Sequence, residues 1–459
     1  MQIINHPQIF RIIPFLVIGS CVMASSLSYS ESITSKQSRS EMQNVLGRQL
    51  DELIADFIDD EELQGAVLAV KKNDESIYFA AHGLSDVATN KPMKTDSIFQ
   101  MDSSTKIILA SAAMIAIEQG LFDPNDMVSR YLPEFQNIQV AVLADPQNKN
   151  ISPLGVFTNS KKKLGILDKF LNRTLEIIYP GYYFGSAPPH RLIAVNEPLT
   201  IHHLLTHTGG LGTYGLGQAV AIWAEGLMSK EKDVISDLTL AKLVDLAAAG
   251  PLDFQPGERF GYSSVFGLDV VARIIEITSD QPFNEFVKTN IFEPLDMRDT
   301  HWNLPPDKKN RLVRIAGEDK DAYSLHDAEK TSFFSGSVGL VSTASDFLNL
   351  HQMLANDGQF RGRQVLSTEA LELMTTNHAG DLYAENEKGS ATGEGFGYGV
   401  TVTIDSEKSK KSLGAFGFGG ASGTVSWSDP KNRLAVVIMI QQPSTDFHEA
   451  VAEIIQKNL

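Results

Sequence analysis

Cysteine is almost absent from this chain of 459 residues, which contains only one, Cys21. A lone cysteine cannot form a disulfide within the chain, so stability has to come from burial of a hydrophobic core. The sequence also lacks Cys and His residues at the spacings that hold metal ions. We therefore expect a protein that works with no metal and no other cofactor.

The chain has no excess of basic residues either. Its 39 Lys and Arg residues stand against 56 Asp and Glu residues, which gives a net charge of −17. The short lysine runs at 161–163 and 408–411 are typical of solvated loops and do not make a phosphate-binding patch. We therefore expect no nucleic acid partner.

Long hydrophobic runs are missing as well, and a short apolar stretch lies near the N-terminus. It runs from Ile12 to Ile18, follows Arg11, and is both too short and too broken by Pro14 to cross a bilayer. Small residues follow it, and no acidic residue precedes Glu31. This pattern predicts a secretory signal over residues 1–30 and an exported protein, either periplasmic or secreted.

Cys21 ends the segment Ile18-Gly19-Ser20-Cys21, which resembles the lipobox of bacterial lipoproteins. A lipid on Cys21 would be the only attachment to a membrane that the sequence suggests. The alternative is ordinary cleavage near Ser30, which leaves a mature chain with no anchor.

The most informative stretch present in the sequence is Phe99 to Gly120. An extended apolar lead-in ends at Ser103, strong helix formers follow, and Gly120 stands where a helix ends. Ser103 and Lys106 are three residues apart and share one face of that helix, so the lysine can activate the serine hydroxyl. The Ser-x-x-Lys spacing also occurs at 160–163, 229–232 and 428–431, but only the first example opens an apolar helix.

The two ends of the chain carry the signals for strands. A hairpin is predicted at 66–80 after a helix at 39–58, and four strands between 399 and 440 precede a helix at 446–456. Helices predominate between these ends. We therefore expect one α/β sheet domain from residues 39–98 and 331–459, and a helical domain from residues 99–330.

Residues 145–196 form a long irregular insertion in the predicted helical domain. The segment is rich in Asn, Lys, Pro and Gly and contains an aromatic cluster at 179–185. It is either a surface excursion with its own small core or a wall of the substrate site.

Three further segments carry residues that suit a catalytic site. His207 lies beside a double glycine, where we expect it to hold the turn by hydrogen bonds and not to react. Tyr262 follows a Pro-Gly turn; a phenol becomes a usable base only beside a cation, which Lys106 can supply, but in isolation it is an ordinary buried aromatic. The glycines from Gly417 to Gly423 predict either a tight turn or a close approach of the substrate to a strand.

Taken together, these motifs resemble the serine β-lactamase-related hydrolases, and most closely the class C branch with its esterase, D-amino-acid peptidase and DD-peptidase relatives. The resemblance covers about Leu63 to Ile440 apart from the stretch after Asp145. Five ordered segments carry it: Ser103–Lys106, Leu204–Leu211, Tyr262–Ser264, Gly339–Thr343 and Phe418–Gly420. The implied fold is α/β (α+β) of the β-lactamase/DD-peptidase type, an antiparallel sheet flanked by the N- and C-terminal helices, with an additional all-helical domain.

The resemblance also implies roles for single residues. Ser103 would be the acylated nucleophile, Lys106 its cationic partner, and Tyr262 the proton shuttle. The backbone N–H groups of Ser103 and Ala421 would form the oxyanion hole. Residues at the substrate-binding positions of the motifs are Ser264, Phe418, Gly419 and Gly420.

Two of these positions depart from the members that process peptides and lactams. Ser264 replaces the asparagine of their tyrosine motif, and Phe418 replaces a Lys or His that stands near the substrate carboxylate. Losing both partners favours neutral carboxylic esters as substrates. The alternatives are D-amino-acid or DD-peptidase activity, weak β-lactam turnover, or a non-catalytic binding protein that keeps the same fold.

Overall fold

A computed structural model describes residues 43–144, 190–218, 220, 238–315 and 331–459. The predicted signal at residues 1–30, with Cys21, lies outside these ranges. So does the predicted insertion except for residues 190–196.

The strands of the described ranges are β1 (Gly65–Lys72), β2 (Glu75–Asp86), β3 (Lys91–Pro92), β4 (Phe99–Gln100), β5 (Gln139–Leu143), β6 (His190–Ala194), β7 (Val341–Ser342), β8 (Gln359–Phe360), β9 (Arg363–Gln364), β10 (Glu394–Phe396), β11 (Thr401–Thr403), β12 (Phe416–Gly419), β13 (Val425–Asp429) and β14 (Leu434–Met439). They run antiparallel, and eight of them form one sheet in the order β10-β11-β12-β13-β14-β1-β2-β3. Two-stranded ladders pair β4 with β7, β5 with β6, and β8 with β9.

Helices cover both faces of this sheet. Their bounds are α1 (43–59), α2 (Lys106–Glu118), α3 (Ile201–Leu205), α4 (Leu240–Ala249), α5 (Phe266–Ser279), α6 (Phe283–Val287), α7 (Ala344–Ala355), α8 (Thr368–Thr375), α9 (Asp381–Ala384), α10 (Glu387–Thr392), α11 (Ser406–Ser409) and α12 (Thr445–Asn458). Single 3-10 turns lie at Asp102–Thr105, Val128–Arg130, Pro133–Phe135, Pro306–Arg311 and Pro430–Asn432, and a π turn lies at Lys288–Phe292.

Strand β1 lies in the middle of the sheet and its side chains alternate between two cores. Val67 and Ala69 face the larger core, which contains α2 and α7, whereas Leu68 and Val70 face α1 and α12. Because side chains alternate along a strand, a continuous apolar run of this kind is what a strand buried on both faces requires. Neighbouring β14 alternates in the same way.

The hairpin between β1 and β2 follows the prediction closely. Its two turn residues, Asn73 and Asp74, both have positive φ values, 50° and 65°. Asn and Asp tolerate this left-handed conformation better than other residues with side chains, and such turns match the twist of the strands they join. The turn after Lys72 therefore lies inside the hairpin that the sequence predicts at 66–80.

Helix α2 is the centre of the larger core. Every residue from Lys106 to Ala116 is buried, and the helix packs against α5 and α8. Apolar or small side chains on all sides of a helix are typical of one enclosed by other elements. This helix therefore provides a rigid base for the residues at its N-terminus.

Part of the predicted irregular segment is regular. Residues His190–Ala194 form β6, which pairs with β5 at Gln139–Leu143 inside the region predicted to be helical. The prediction of irregular chain was wrong at these five residues, because β6 is mostly exposed and its sequence carries little periodicity. The boundaries of the two predicted domains stay a prediction.

None of the helices in the described ranges is long and apolar enough to cross a bilayer.

A substitution at Phe447 would test the core that lies on the side of the sheet away from α2. Its side chain is fully buried and meets the ring of Phe57 edge to face, with 5.2 Å between centroids. We expect Phe447→Ala to lower the free energy of unfolding by about 3–5 kcal/mol, measured by urea denaturation. Phe79→Ala is the control because Phe79, on β2, is 40% exposed. Equal losses in the two variants would contradict this assignment of the core.

Candidate active site

Ser103 lies in the 3-10 turn that joins β4 to helix α2. Lys106 is the first residue of α2 and is fully buried, and its Nζ is hydrogen-bonded to Ser103 Oγ over 3.2 Å. The Ser-x-x-Lys spacing thus brings the two side chains together across one tight turn. Because α2 is buried on all sides, the pair is held in a fixed place.

The Lys106 amine has two other hydrogen-bond partners, and both are backbone carbonyls. Its Nζ donates to Ser264 O over 2.7 Å and to Ser337 O over 3.1 Å. A carbonyl oxygen can only accept, so these bonds take two N–H groups and leave the third position of the nitrogen directed at Ser103 Oγ. In the neutral amine, that third position is the lone pair.

Burial lowers the pKa of Lys106, and the negative charges of Asp269 and Asp102 oppose this effect. A cation that loses its water favours the uncharged form unless a nearby acid compensates. The site therefore makes a neutral lysine amine accessible near neutral pH.

Tyr262 approaches Ser103 from the other side. Its hydroxyl donates to Ser103 Oγ over 2.8 Å, and the Lys106 Nζ lies 5.1 Å from the centre of its ring. Burial raises the pKa of Tyr262 to about 12, so the phenol keeps its proton in the resting site. The structure thus brings the three predicted catalytic residues together, with Lys106 and Tyr262 both hydrogen-bonded to Ser103 Oγ.

His207 holds the backbone on both sides of Tyr262. Its carbonyl accepts from Gly261 N over 2.8 Å, and its ring Nδ1 accepts from Ser263 N over 3.2 Å. Burial and the nearby Lys106 charge keep the pKa of His207 well below its usual value, so the ring is neutral. Both hydrogen bonds thus hold the tyrosine segment, and a role of His207 in the turn at the double glycine stays a prediction.

Asp269 is a site residue that the sequence analysis did not identify. It is fully buried on α5 and accepts hydrogen bonds from Ser335 Oγ, Gly336 N and Ser337 N. These bonds fix the loop that presents the Ser337 carbonyl to Lys106. The signal that would have indicated it is a charged residue inside the otherwise apolar run at 266–272.

Ser264 makes two hydrogen bonds in the site, one through its backbone carbonyl and one through its hydroxyl. Its carbonyl holds Lys106, and its hydroxyl is hydrogen-bonded to the hydroxyl of Tyr214, a buried residue from the loop after α3. Tyr214 was not identified from the sequence because its partner lies 50 residues further along. Binding of substrate by Ser264 stays a prediction.

Phe418, Gly419 and Gly420 lie at the end of β12. The Phe418 ring stacks against Tyr262 with 6.3 Å between centroids and 20° between planes. Gly420 has no room for a side chain, because a Cβ there would lie 2.4 Å from the Met101 carbonyl oxygen. The glycine turn therefore lies directly against the turn that carries Ser103.

The backbone N–H groups of Ser103 and Ala421 are the proposed oxyanion donors. Within the described ranges, neither group donates a backbone hydrogen bond. Ser103 N–H is one of the unpaired donors that the start of any helix leaves. Both groups are thus available to an anionic oxygen.

No group of three or more His, Cys, Asp or Glu side chains in the described part of the chain is placed to hold a metal ion.

Comparisons with known proteins agree with this arrangement. The family model described as Beta-lactamase matches residues 50–151 and 188–458. The chain is 29% identical over 255 residues to esterase EstB of Burkholderia gladioli, covering 55% of this chain and 51% of EstB. It is 24% identical over 418 residues to a putative D-alanyl-D-alanine carboxypeptidase of Escherichia coli strain K12, covering 84% and 79%.

The fold of this chain is also similar to that of a solved structure. The solved structure is that of EstCE1, described as a hydrolase with promiscuous acyltransferase activity, with a TM-score of 0.66 and 22% identity. The match covers 90% of this chain and 99% of EstCE1. At this identity the likeness supports the fold alone.

A substitution at Asp269 would test the effect of its charge on the pKa of Lys106. Its negative charge raises the pKa of Lys106, so Asp269→Asn should shift the pH at which Ser103 becomes reactive to a lower value. The asparagine keeps an oxygen to accept from Gly336 N and Ser337 N. The measurement is the rate of labelling by a fluorophosphonate probe as a function of pH.

The control is Asp346→Asn, which removes another buried carboxylate, one that binds Asp299 N and Thr300 Oγ1. That variant should leave the pH midpoint unchanged. An unchanged midpoint in Asp269→Asn, or a shift to higher pH, would contradict the proposed influence on Lys106.

Proposed function

The chain belongs to the Beta-lactamase family, as its motifs indicated, and we propose that within this family it hydrolyses carboxylic esters through an acyl-enzyme on Ser103. Its membership and its relatives make the protein a serine hydrolase with a fold of the β-lactamase type. The finer choice among ester, peptide and lactam substrates depends on the residues around Ser103.

One observation carries the proposal: the Lys106 amine gives two N–H groups to carbonyls and faces Ser103 Oγ with its remaining position. A neutral amine in this place accepts the serine proton as Oγ attacks. The resemblance to the family implied a cationic Lys106. Burial instead favours the neutral amine at the start of the reaction, and the cation forms during it.

In acylation, Ser103 Oγ bonds to the ester carbonyl carbon and its proton passes to Lys106 Nζ. The N–H groups of Ser103 and Ala421 bind the oxyanion, and each such donor lowers the barrier by about 3 kcal/mol. When the bond to the alcohol oxygen breaks, Tyr262 gives its proton to the leaving group. The alcohol leaves neutral, and a tyrosinate remains beside the lysine cation.

Deacylation reverses these transfers. A water molecule gives a proton to the Tyr262 oxygen and its own oxygen bonds to the acyl carbon. The acyl–Ser103 bond breaks, and Ser103 Oγ takes its proton back from Lys106. The carboxylic acid product leaves, and every side chain has returned to its starting protonation state.

Phe418 supports a preference for uncharged substrates. Its ring is nearly parallel to the ring of Tyr262 and perpendicular to the ring of Phe396, with 6.3 Å between centroids in both pairs. Phe260 and Tyr383 complete this aromatic cluster beside the site. Aromatic side chains suit an apolar acyl or alcohol group, and Phe418 offers no charge to a substrate carboxylate.

The alternative substrates are D-amino-acid peptides, with weak turnover of β-lactams. The relative from Escherichia coli described as a putative D-alanyl-D-alanine carboxypeptidase supports this alternative, and the absence of a Lys or His at position 418 counts against it. A non-catalytic binding protein is the third possibility. The three hydrogen-bonded side chains at Ser103 count against that loss of chemistry.

The decisive experiment is hydrolysis of p-nitrophenyl butyrate by the mature chain and by Ser103→Ala. We expect the variant to lose at least about a thousandfold in kcat because the nucleophile is gone. Ser111→Ala is the control, since Ser111 lies on the same helix and its hydroxyl donates to the Ile107 carbonyl within that helix.

Three outcomes distinguish the candidate functions. Full ester turnover in Ser103→Ala would refute the assigned nucleophile. A wild type that ignores esters but is stably labelled by a fluorescent penicillin would indicate peptide substrates. No labelling by a fluorophosphonate probe would indicate a binding protein.

Residues 1–30 support the further proposal that the protein is exported. We expect expression of the whole chain in a bacterium to yield a shortened mature protein, detectable by mass spectrometry. An acylated N-terminal Cys21 would establish a lipoprotein, and a start near Glu31 would establish a secreted or periplasmic form. An uncut chain in the cytoplasm would contradict the proposal.

A further inference from the structure

Asp102, the residue before the nucleophile, has an unusual backbone conformation. Its φ angle is +43°, in the left-handed region that a residue with a side chain seldom adopts. Such conformations are strained and persist where the surroundings hold them in place. The contacts of the Asp102 side chain identify what holds it.

The Asp102 carboxylate reaches across to the glycine turn. Its Oδ2 accepts a hydrogen bond from Ser422 N over 2.9 Å, and the two residues are 320 positions apart in the chain. Ser422 directly follows Ala421, whose N–H is one of the two proposed oxyanion donors. Asp102 directly precedes Ser103, whose N–H is the other.

A second link lies on the opposite side of Ser103. The hydroxyl groups of Ser104 and Thr424 are hydrogen-bonded over 3.0 Å, and both side chains are buried. The Thr424 hydroxyl also donates to Met101 O over 3.4 Å. The nucleophile turn and the glycine turn are thus joined before and after Ser103.

The glycine turn itself fixes the direction of the Ala421 N–H. Gly420 O accepts from Gly423 N over 3.0 Å, and Gly420 N donates to Thr424 O over 2.7 Å. Gly420 O and Ala421 N–H belong to one planar peptide group, so holding the carbonyl also orients the N–H. What remains to be set is the position of this turn relative to Ser103.

We infer that Asp102 is a positioning residue that, by binding Ser422 N, sets the distance between the two N–H groups of the oxyanion hole. This inference rests on the proposed acyl-transfer function. Oxyanion donors act by being in place before the charge develops, so a shift of one turn against the other weakens both bonds to the oxygen. Asp102 itself touches neither the substrate nor the reacting atoms.

An aspartate suits this position for two reasons. Its short carboxylate accepts from a nearby backbone N–H, and Asp and Asn tolerate the left-handed conformation better than most residues. The same carboxylate faces two titratable groups of the site, Lys106 and Tyr262, and its charge raises the pKa of both. A test therefore has to separate the hydrogen bond from the charge.

Two substitutions make that separation. Asp102→Asn keeps an acceptor oxygen and tolerates the positive φ but removes the charge. Asp102→Gly tolerates the positive φ and removes the acceptor as well. Asp280→Gly is the matched control, because Asp280 has a φ of 53° at the exposed end of α5.

The variants are compared by kcat and KM for p-nitrophenyl butyrate, each at its own pH optimum. We expect Asp102→Gly to lose about ten- to a hundredfold in kcat, the range for a misplaced oxyanion donor, with little change in KM. Asp102→Asn should keep kcat within about threefold of the wild type because its oxygen still accepts from Ser422 N. Asp280→Gly should behave as the wild type.

Several results would overturn the inference. One is an Asp102→Gly variant with the kcat of the wild type. Another is an Asp102→Asn variant as impaired as Asp102→Gly, which would assign the effect to the charge. A third is a loss of kcat in Asp102→Gly accompanied by a fall in thermal midpoint that Asp102→Asn does not share, because general unfolding would then explain the loss.

The rate of labelling by a fluorophosphonate probe is measured for the same variants, since this reaction also places an oxygen in the oxyanion hole. If the wild type hydrolyses no ester, the proposed ester activity fails alone, and the labelling rates still test Asp102. Slower labelling of Asp102→Gly than of Asp102→Asn then supports the inference, and equal labelling refutes it.

Discussion

The site depends on keeping the amine of Lys106 away from water and surrounded by acceptors. An amine buried without a directly bonded acid gives up its charge readily, and it then needs its N–H groups satisfied by carbonyls. Those carbonyls belong to Ser264 and Ser337, in two separate loops. Each loop has its own support, because His207 holds the chain before Ser264 and Asp269 holds the chain around Ser337. The two hydrogen-bond acceptors that the Lys106 nitrogen needs therefore depend on two further residues, His207 and Asp269, elsewhere in the helical part of the fold.

The division of labour between the two parts of the fold follows from this. Helices and their loops bring the lysine, the tyrosine and the carbonyls, whereas the sheet brings the strand that ends in the glycine turn. The end of a paired strand supplies a backbone N–H group in a fixed direction, and a buried helix supplies a fixed serine. The proposed reaction takes place where the buried helix and the end of the strand meet. The hydrogen bond from Ser422 N to Asp102 and the one between the Ser104 and Thr424 hydroxyls join them.

The elements with strong local patterns were predictable from the sequence. Helix α12 begins and ends within two residues of its predicted bounds, 446–456, and the Ser-x-x-Lys turn has its predicted side chains together. Strand β6 was not predicted because its partner is remote and its faces are exposed. The same holds for Asp102, Asp269 and Tyr214, whose roles come from contacts with distant segments. Local periodicity determines an element, but only the assembled fold determines which remote donor meets a given acceptor.

The connection between the Ser103 turn and the glycine turn has a consequence for the order of events during synthesis. Strand β1 pairs with β14, and the hydrogen bond of Ser104 spans 320 residues, so the two turns meet only after nearly the whole chain has left the ribosome. Contacts between segments this far apart form slowly. Until then Ser103 has a helix behind it but no partner for the oxygen of an acyl group. On the proposed mechanism, the chain becomes reactive only when its last strands pair.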